Sequence, residues 1–159
     1  MRLRKAVGWI RRFIRWLGDS RPKEKPSRLT VDELRSAEMA IVKFVQRTSF
    51  RQEIRDLCGS QTSVRKQSSI YNLRPYLDNA GVLRIGGRLR LAPIEEDQKF
   101  PAILPKNHHL SSLVVRHTHE SLTGHSGKDH VLCILRRKYW IPQARPLIRR
   151  VLKDRKSVV

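Results

Sequence analysis

Apolar residues Leu3, Val7, Ile10, Ile14 and Leu17 recur at alternating intervals of four and three, which is one face of an α-helix. Trp9, Phe13 and Trp16 widen that face, while Arg2, Arg4, Lys5, Arg11, Arg12 and Arg15 lie mostly away from it. The pattern predicts a basic amphipathic helix over residues 2–17 that packs its apolar face on the rest of the chain and leaves its arginines in solvent. Taken alone, the same pattern also suits an interfacial membrane helix or an organellar presequence. Residues 18–28 hold two prolines among alternating charges and read as a linker.

A second helix is predicted from Thr30, where Thr30-x-x-Glu33 makes a capping box. Leu34, Ala37, Ile41, Phe44 and Val45 supply its apolar face to about residue 47. A shorter helix over residues 49–57 turns Phe50, Ile54 and Leu57 inward, and Cys58-Gly59 ends it, with Cys58 read as a small buried or half-buried residue. Residues 60–69 are polar and basic, a loop. Pro75 argues against helix in the next segment, Asp78-Asn79-Ala80-Gly81 signals a turn, and residues 82–85 favour a strand. Gly86-Gly87 permits a bend, and the alternation over residues 88–91 completes a predicted β-hairpin near 82–91. Neither a GxGxxG nor a GK[ST] pattern accompanies these glycines, so they read as a turn rather than a phosphate loop. Glu95-Glu96-Asp97 reads as a solvated acidic loop, and residues 100–105 as an extended segment fenced by prolines.

Towards the C-terminus, Asn107 is positioned to cap a helix over residues 110–122. A further helix over residues 128–137 carries Val131, Leu132, Leu135 and Tyr139 at helical spacing, with Cys133 as apolar filler. Ile141-Pro142 stops it, and residues 144–153 form a last helix burying Leu147, Ile148, Val151 and Leu152. The fold class is therefore α+β and mainly helical. Its segments are a basic amphipathic helix (1–17), a linker (18–28), a helical connector (29–69), a small β-containing segment (70–106) and a C-terminal helical domain (107–159).

Composition narrows the partners. The 159 residues carry 34 Lys and Arg against 14 Asp and Glu, a formal charge of +20. Such self-repulsion usually accompanies an anionic partner, with nucleic acid the first candidate and an anionic membrane surface the second. The densest basic segment is residues 136–156, with nine Lys and Arg and one acid, Asp154. Hydrophobic content of 39% and aromatic content of 6% suit several small clusters rather than one large core. Two separated cysteines, Cys58 and Cys133, make no disulfide scaffold and point to the reducing interior of a cell, nucleus or cytoplasm. No apolar run approaches the roughly 20 residues that span a bilayer, and no nucleophile–base pair or paired carboxylates suggest an enzyme or a small-molecule substrate.

Several motifs in order narrow the reading further: His119-Glu120, His125-Ser126-Gly127, Leu132-x-x-Leu135-Arg136, Tyr139-Trp140-Ile141 and Arg145. They resemble the N-terminal zinc-binding module of retroelement integrases. Upstream, Leu73-x-Pro75-x-Leu77-Asp78, residues 81–89, Ile103-Leu104-Pro105-Lys106 and His108-His109-Leu110 are similar to the Pol polyprotein of Bel/Pao-type retrotransposons, between ribonuclease H and the integrase core. The Trp9-centred helix and the Leu29-Thr30-x-x-Glu33-Leu34 entry also look like that connector, so the resemblance covers nearly the whole chain.

The resemblance implies a C-terminal three-helix bundle fastened by zinc, which contacts element-end DNA and helps the integrase assemble. His119 and His125 would be the histidine ligands, with His117 a nearby competitor on a helix face and Gly127 allowing the turn that aims His125. His108, His109 and His130 fall outside the ligand positions, as surface or capping residues. The family's cysteine pair is missing: Arg155 and Val158 stand where it would fall. Zinc is therefore expected to be weak or absent, because two imidazoles do not close a four-coordinate site.

On this reading the chain is a truncated, non-catalytic nucleic-acid-binding fragment, with the integrase core beyond residue 159. Arg136, Arg137, Lys138, Arg145, Arg149 and Arg150 are the expected phosphate contacts, and self-association or other Pol segments are further partners. An inactive retroelement relic is the alternative, and a membrane-surface protein acting through residues 2–17 is a lesser one.

Overall fold

The computed structural model of the protein describes residues 2–18, 28–59, 63–86, 93, 95–123 and 127–154. It divides into two compact units, residues 1–44 and 45–159, with the division inside the second helix. Among the described residues it is mainly helical, with a small four-stranded sheet.

The first unit pairs α1 (Arg2–Gly18) with the leading part of α2 (Val31–Ser49). The predicted capping box forms: Glu33 N–H donates to Thr30 Oγ1 at 3.2 Å and Thr30 N–H donates to Glu33 Oε2 at 2.8 Å. The expected orientation of α1 is reversed. Its basic side meets α2, through Arg12 on both oxygens of Glu33 and Arg4 on Glu38 at 3.4 Å. Gly8 lies on that same side, where a Cβ would stand 3.0 Å from Leu29. Leu3, Trp9, Ile10, Phe13, Ile14, Trp16 and Leu17 are left exposed instead. A helix whose partner offers acids at matching heights docks through its arginines, whatever its apolar stripe suggests. Phe44 of α2, expected inward, is likewise exposed, and Val42 is buried.

The second unit begins with the end of α2 and α3 (Arg51–Cys58). Phe50 turns inward as expected and joins Ile70, Leu83 and Ile103 in a core flanked by Ile54, Leu57, Leu73, Leu77 and Ile85. Cys58 is exposed rather than buried. A 3₁₀ turn at Tyr71–Leu73 leads into β1 (Tyr76–Leu77) and β2 (Leu83–Arg84), joined by the predicted turn. Asp78 Oδ1 accepts from the N–H groups of Ala80 and Val82, and Gly81 has φ of 72°. The hairpin therefore pairs residues 76–77 with 83–84. The other edge of β2 is taken by β3 (Ala102–Ile103), and the expected returning strand at 88–91 lies outside the described residues.

Arg84 ties this region together, with Nε 2.6 Å from Asp78 and Nη1 2.9 Å from Asp97 and 2.8 Å from the Phe100 carbonyl. Asp97, on the short helix α4 (Glu96–Lys99), is thus a structural ion-pair partner rather than part of a solvated loop. Gly86 is required for packing, because a Cβ there would run into the carbonyl oxygen of Arg74.

Three helices complete the unit: α5 (His109–His117), α6 (Lys128–Arg136) and α7 (Ala144–Asp154). The cap of α5 is His108, whose Nδ1 accepts from Leu110 N–H at 3.0 Å, not Asn107. A five-residue π-helical stretch, Thr118–Leu122, continues α5. Between α6 and α7, Tyr139–Trp140 is not helical but forms β4, parallel to β3 in the register Ala102 to Tyr139 and Ile103 to Trp140. Val131, Leu132 and Leu135 of α6 are buried as expected, whereas Cys133 is exposed and Leu152 of α7 is only half-buried.

Candidate nucleic-acid interface

α7 sets the geometry of the basic surface. Ala144, Leu147, Ile148 and Val151 are buried, and the helix packs on both α5 and α6. At roughly 100° per residue, Arg145, Arg149, Lys153 and Arg150 fall within an arc of roughly 140° on the opposite side. All four are exposed. Apolar packing thus holds the helix while its cations project together, which is what a rigid polyanion needs from a binding surface.

The α6–α7 connection adds to this surface. Arg136 and Arg137 are exposed and Lys138 is half-buried. Their backbone is held by β4: Ala102 N–H donates to the Lys138 carbonyl at 3.0 Å and Leu104 N–H to the Trp140 carbonyl at 2.8 Å. The Arg136 guanidinium lies 4.7 Å over the Trp140 ring, and Lys138 Nζ lies 5.7 Å from the Tyr139 ring centre. The two aromatics thereby hold two cations in place without neutralising them.

In sequence, residues 127–154 hold eight Lys and Arg (Lys128, Arg136, Arg137, Lys138, Arg145, Arg149, Arg150 and Lys153) and two acids, Asp129 and Asp154. Asp129 sits 4.0 Å from Arg145, and both side chains are more than two-thirds exposed, at 74% and 72%. A pair that open to water is weak, so it leaves the positive field nearly intact. Lys128, Asp129, Arg145, Ile148 and Arg149 line a cleft of about 200 Å³ between the start of α6 and α7. Lys128 and Lys153 thus lie beside the expected contact residues on the same surface. Lys153 was signalled by the spacing of Arg145, Arg149 and Lys153, one helical line four residues apart, whereas Lys128 becomes a neighbour only through the packing of α6 on α7.

The histidines are distributed differently. His119 lies half-buried in the π-helical stretch, where Thr123 Oγ1 donates to its carbonyl at 3.0 Å. His117 Nδ1 is 3.0 Å from Ser121 Oγ. His109 and His130 are exposed. His125, Arg155 and Val158 lie outside the described residues. Among the described residues no group of three or more His, Cys, Asp or Glu side chains is placed to hold a metal ion, so His119 has no four-ligand site from that set alone. Compared with protein-family models, curated proteins and solved structures, the chain matches none.

Proposed function

We propose that this protein is a non-catalytic nucleic-acid-binding module that uses the α6–β4–α7 surface to neutralise the phosphates of duplex DNA. The observation that carries the reading is the exposed arc of Arg145, Arg149, Arg150 and Lys153 on a helix anchored by its apolar side. Arg136, Arg137 and Lys138 extend it, and Lys128 joins Arg145 and Arg149 at the cleft. Cations of this kind contact the backbone rather than base edges, so affinity carries little sequence preference and falls steeply with salt. Fluorescence anisotropy with two unrelated duplexes over a salt series tests this. Similar affinities for both, weakening together as salt rises, are expected. No binding at low salt, or binding indifferent to salt, would rule the function out.

The resemblance to the integrase zinc-binding region of Bel/Pao-type Pol polyproteins supports the same reading, and α5, α6 and α7 would correspond to its bundle. Within it, His119 and His125 would hold zinc and Arg155 and Val158 would occupy the cysteine positions. Metal analysis of the purified chain beside an Arg155→Cys, Val158→Cys variant tests this assignment. Stoichiometric zinc only in the double variant is expected. Zinc at one equivalent in the natural chain, or in neither protein, contradicts the assignment.

A further inference from the structure

We propose that α1 is an interfacial helix that lays its apolar face into an anionic lipid surface. The inference is independent of the DNA-binding reading and rests on the reversal of α1. Because Arg4 and Arg12 reach Glu38 and Glu33 of α2 and Gly8 packs on Leu29 just before it, the opposite side of the helix is presented outward. Ile10, Phe13, Ile14 and Leu17 on that side are 57%, 57%, 62% and 64% exposed. Trp9 and Trp16 stand at one edge of the same face, with Phe13 and Trp16 stacked at 6.0 Å. A contiguous exposed apolar face of this kind marks an interaction site rather than scattered surface hydrophobes.

Charge selects the occupant. Residues 2–18 contain six Lys and Arg and no acid. Lys5 borders one edge of the apolar arc and Arg2 lies at its start, both exposed, while Arg11 at the other edge is exposed but donates to Ser36 Oγ of α2 at 3.2 Å. A second copy of α1 would bring the same cationic borders against these, without acids to meet them. Glu33 and Glu38 of α2 are already engaged by Arg12 and Arg4 on the far side. Nucleic acid would find three stackable rings, Trp9, Phe13 and Trp16, along one side but aliphatic Ile10, Ile14 and Leu17 over the rest of the face, which have no π-face. An anionic bilayer satisfies every part: acyl chains take the aliphatic centre, the indoles of Trp9 and Trp16 suit the headgroup boundary, and the bordering cations reach the lipid phosphates. No described helix is long and apolar enough to cross a membrane, so α1 would lie in the plane of the surface.

The test is co-sedimentation of the full chain with phosphatidylcholine vesicles, with and without added phosphatidylserine. The natural chain is compared with an Ile10→Asp, Ile14→Asp variant and with a charge-matched Ser63→Asp, Gln67→Asp control at exposed positions. Circular dichroism checks that helix content is retained, since both isoleucines lie on the side of the helix away from Arg12. Binding to phosphatidylserine vesicles, about tenfold or more weaker in the α1 variant and nearly unchanged in the control, is the expected result. Equal loss in both variants would mean that only net charge binds the vesicles, and would overturn the proposal. So would absence of binding by the natural chain, or a dimer in light scattering that the α1 variant converts to monomer while vesicle binding persists.

Discussion

Gln46 is fully buried near the end of α2, and its amide is bonded on both sides. Nε2 donates to the carbonyls of Leu83 and Ile103 at 2.8 and 2.7 Å, and Oε1 accepts from Leu83 N–H at 2.8 Å. One side chain thus serves β2 and β3 where their own ladder ends, and fixes α2 to the sheet. Gln46→Leu keeps the volume but strips three buried backbone groups of their partner, so a loss of about 3 kcal/mol in urea unfolding is expected. A loss below about 0.5 kcal/mol would show that the clamp is dispensable. Nothing near Gln46 in sequence signals this, since its partners are 37 and 57 residues away. The same blindness explains Asp97, whose partner Arg84 is 13 residues back, and the exposure of Cys58 and Cys133, which the sequence suggests as a buried or half-buried residue and an apolar filler. Thr30, Glu33, Asp78 and Gly81 were legible because their bonds close within a few residues.

Helices were legible as elements, and their orientation was not. Periodicity located α1, α2, α3, α6 and α7 to within a few residues, but a stripe on one helix does not say what faces it. α1 docks by arginine because α2 presents Glu33 and Glu38, and that pairing has a pH signature. The Arg12 guanidinium and the Thr30 N–H hold the Glu33 carboxyl at about 2, below its ordinary value of 4.5. A depressed carboxylate pKa stabilises the folded form above the unfolded value, so the contribution is complete above pH 4.5 and is lost as pH falls through about 2. An NMR titration of the Glu33 carboxyl carbon should show a midpoint near 2 that rises towards 4.5 in Arg12→Ala. A midpoint near 4.5 in the natural chain would mean that α1 is not held to α2 in this way. The two-residue strands were the least legible elements, because helix-compatible spacing carries Tyr139 as easily as β4 does, and only the approach of residues 102–103 decides between them.

For the chain as a whole, the formal charge of +20 and the basic run at residues 136–156 are legible in the sequence, and they are the grounds on which an anionic partner is proposed. What the sequence withheld was the shape of the surface: β4 pinned to β3, α7 packed against α5 and α6, and Lys128 brought beside Arg145 and Arg149. Bulk charge and an organised surface make different demands on DNA binding. If the chain acts through its overall charge, removing any three cations has much the same effect. If α7 meets the phosphates, removing its own three does more. The decisive measurement is the salt dependence of duplex DNA affinity for the natural chain and for Arg145→Ala, Arg149→Ala, Arg150→Ala, beside a control that removes the exposed Arg47, Arg51 and Lys66. Each phosphate contact contributes about 0.9 to the slope of log affinity against log salt, so the α7 variant should lose about 2.7 and the control little. Equal slopes in the two variants would contradict the α7 interface.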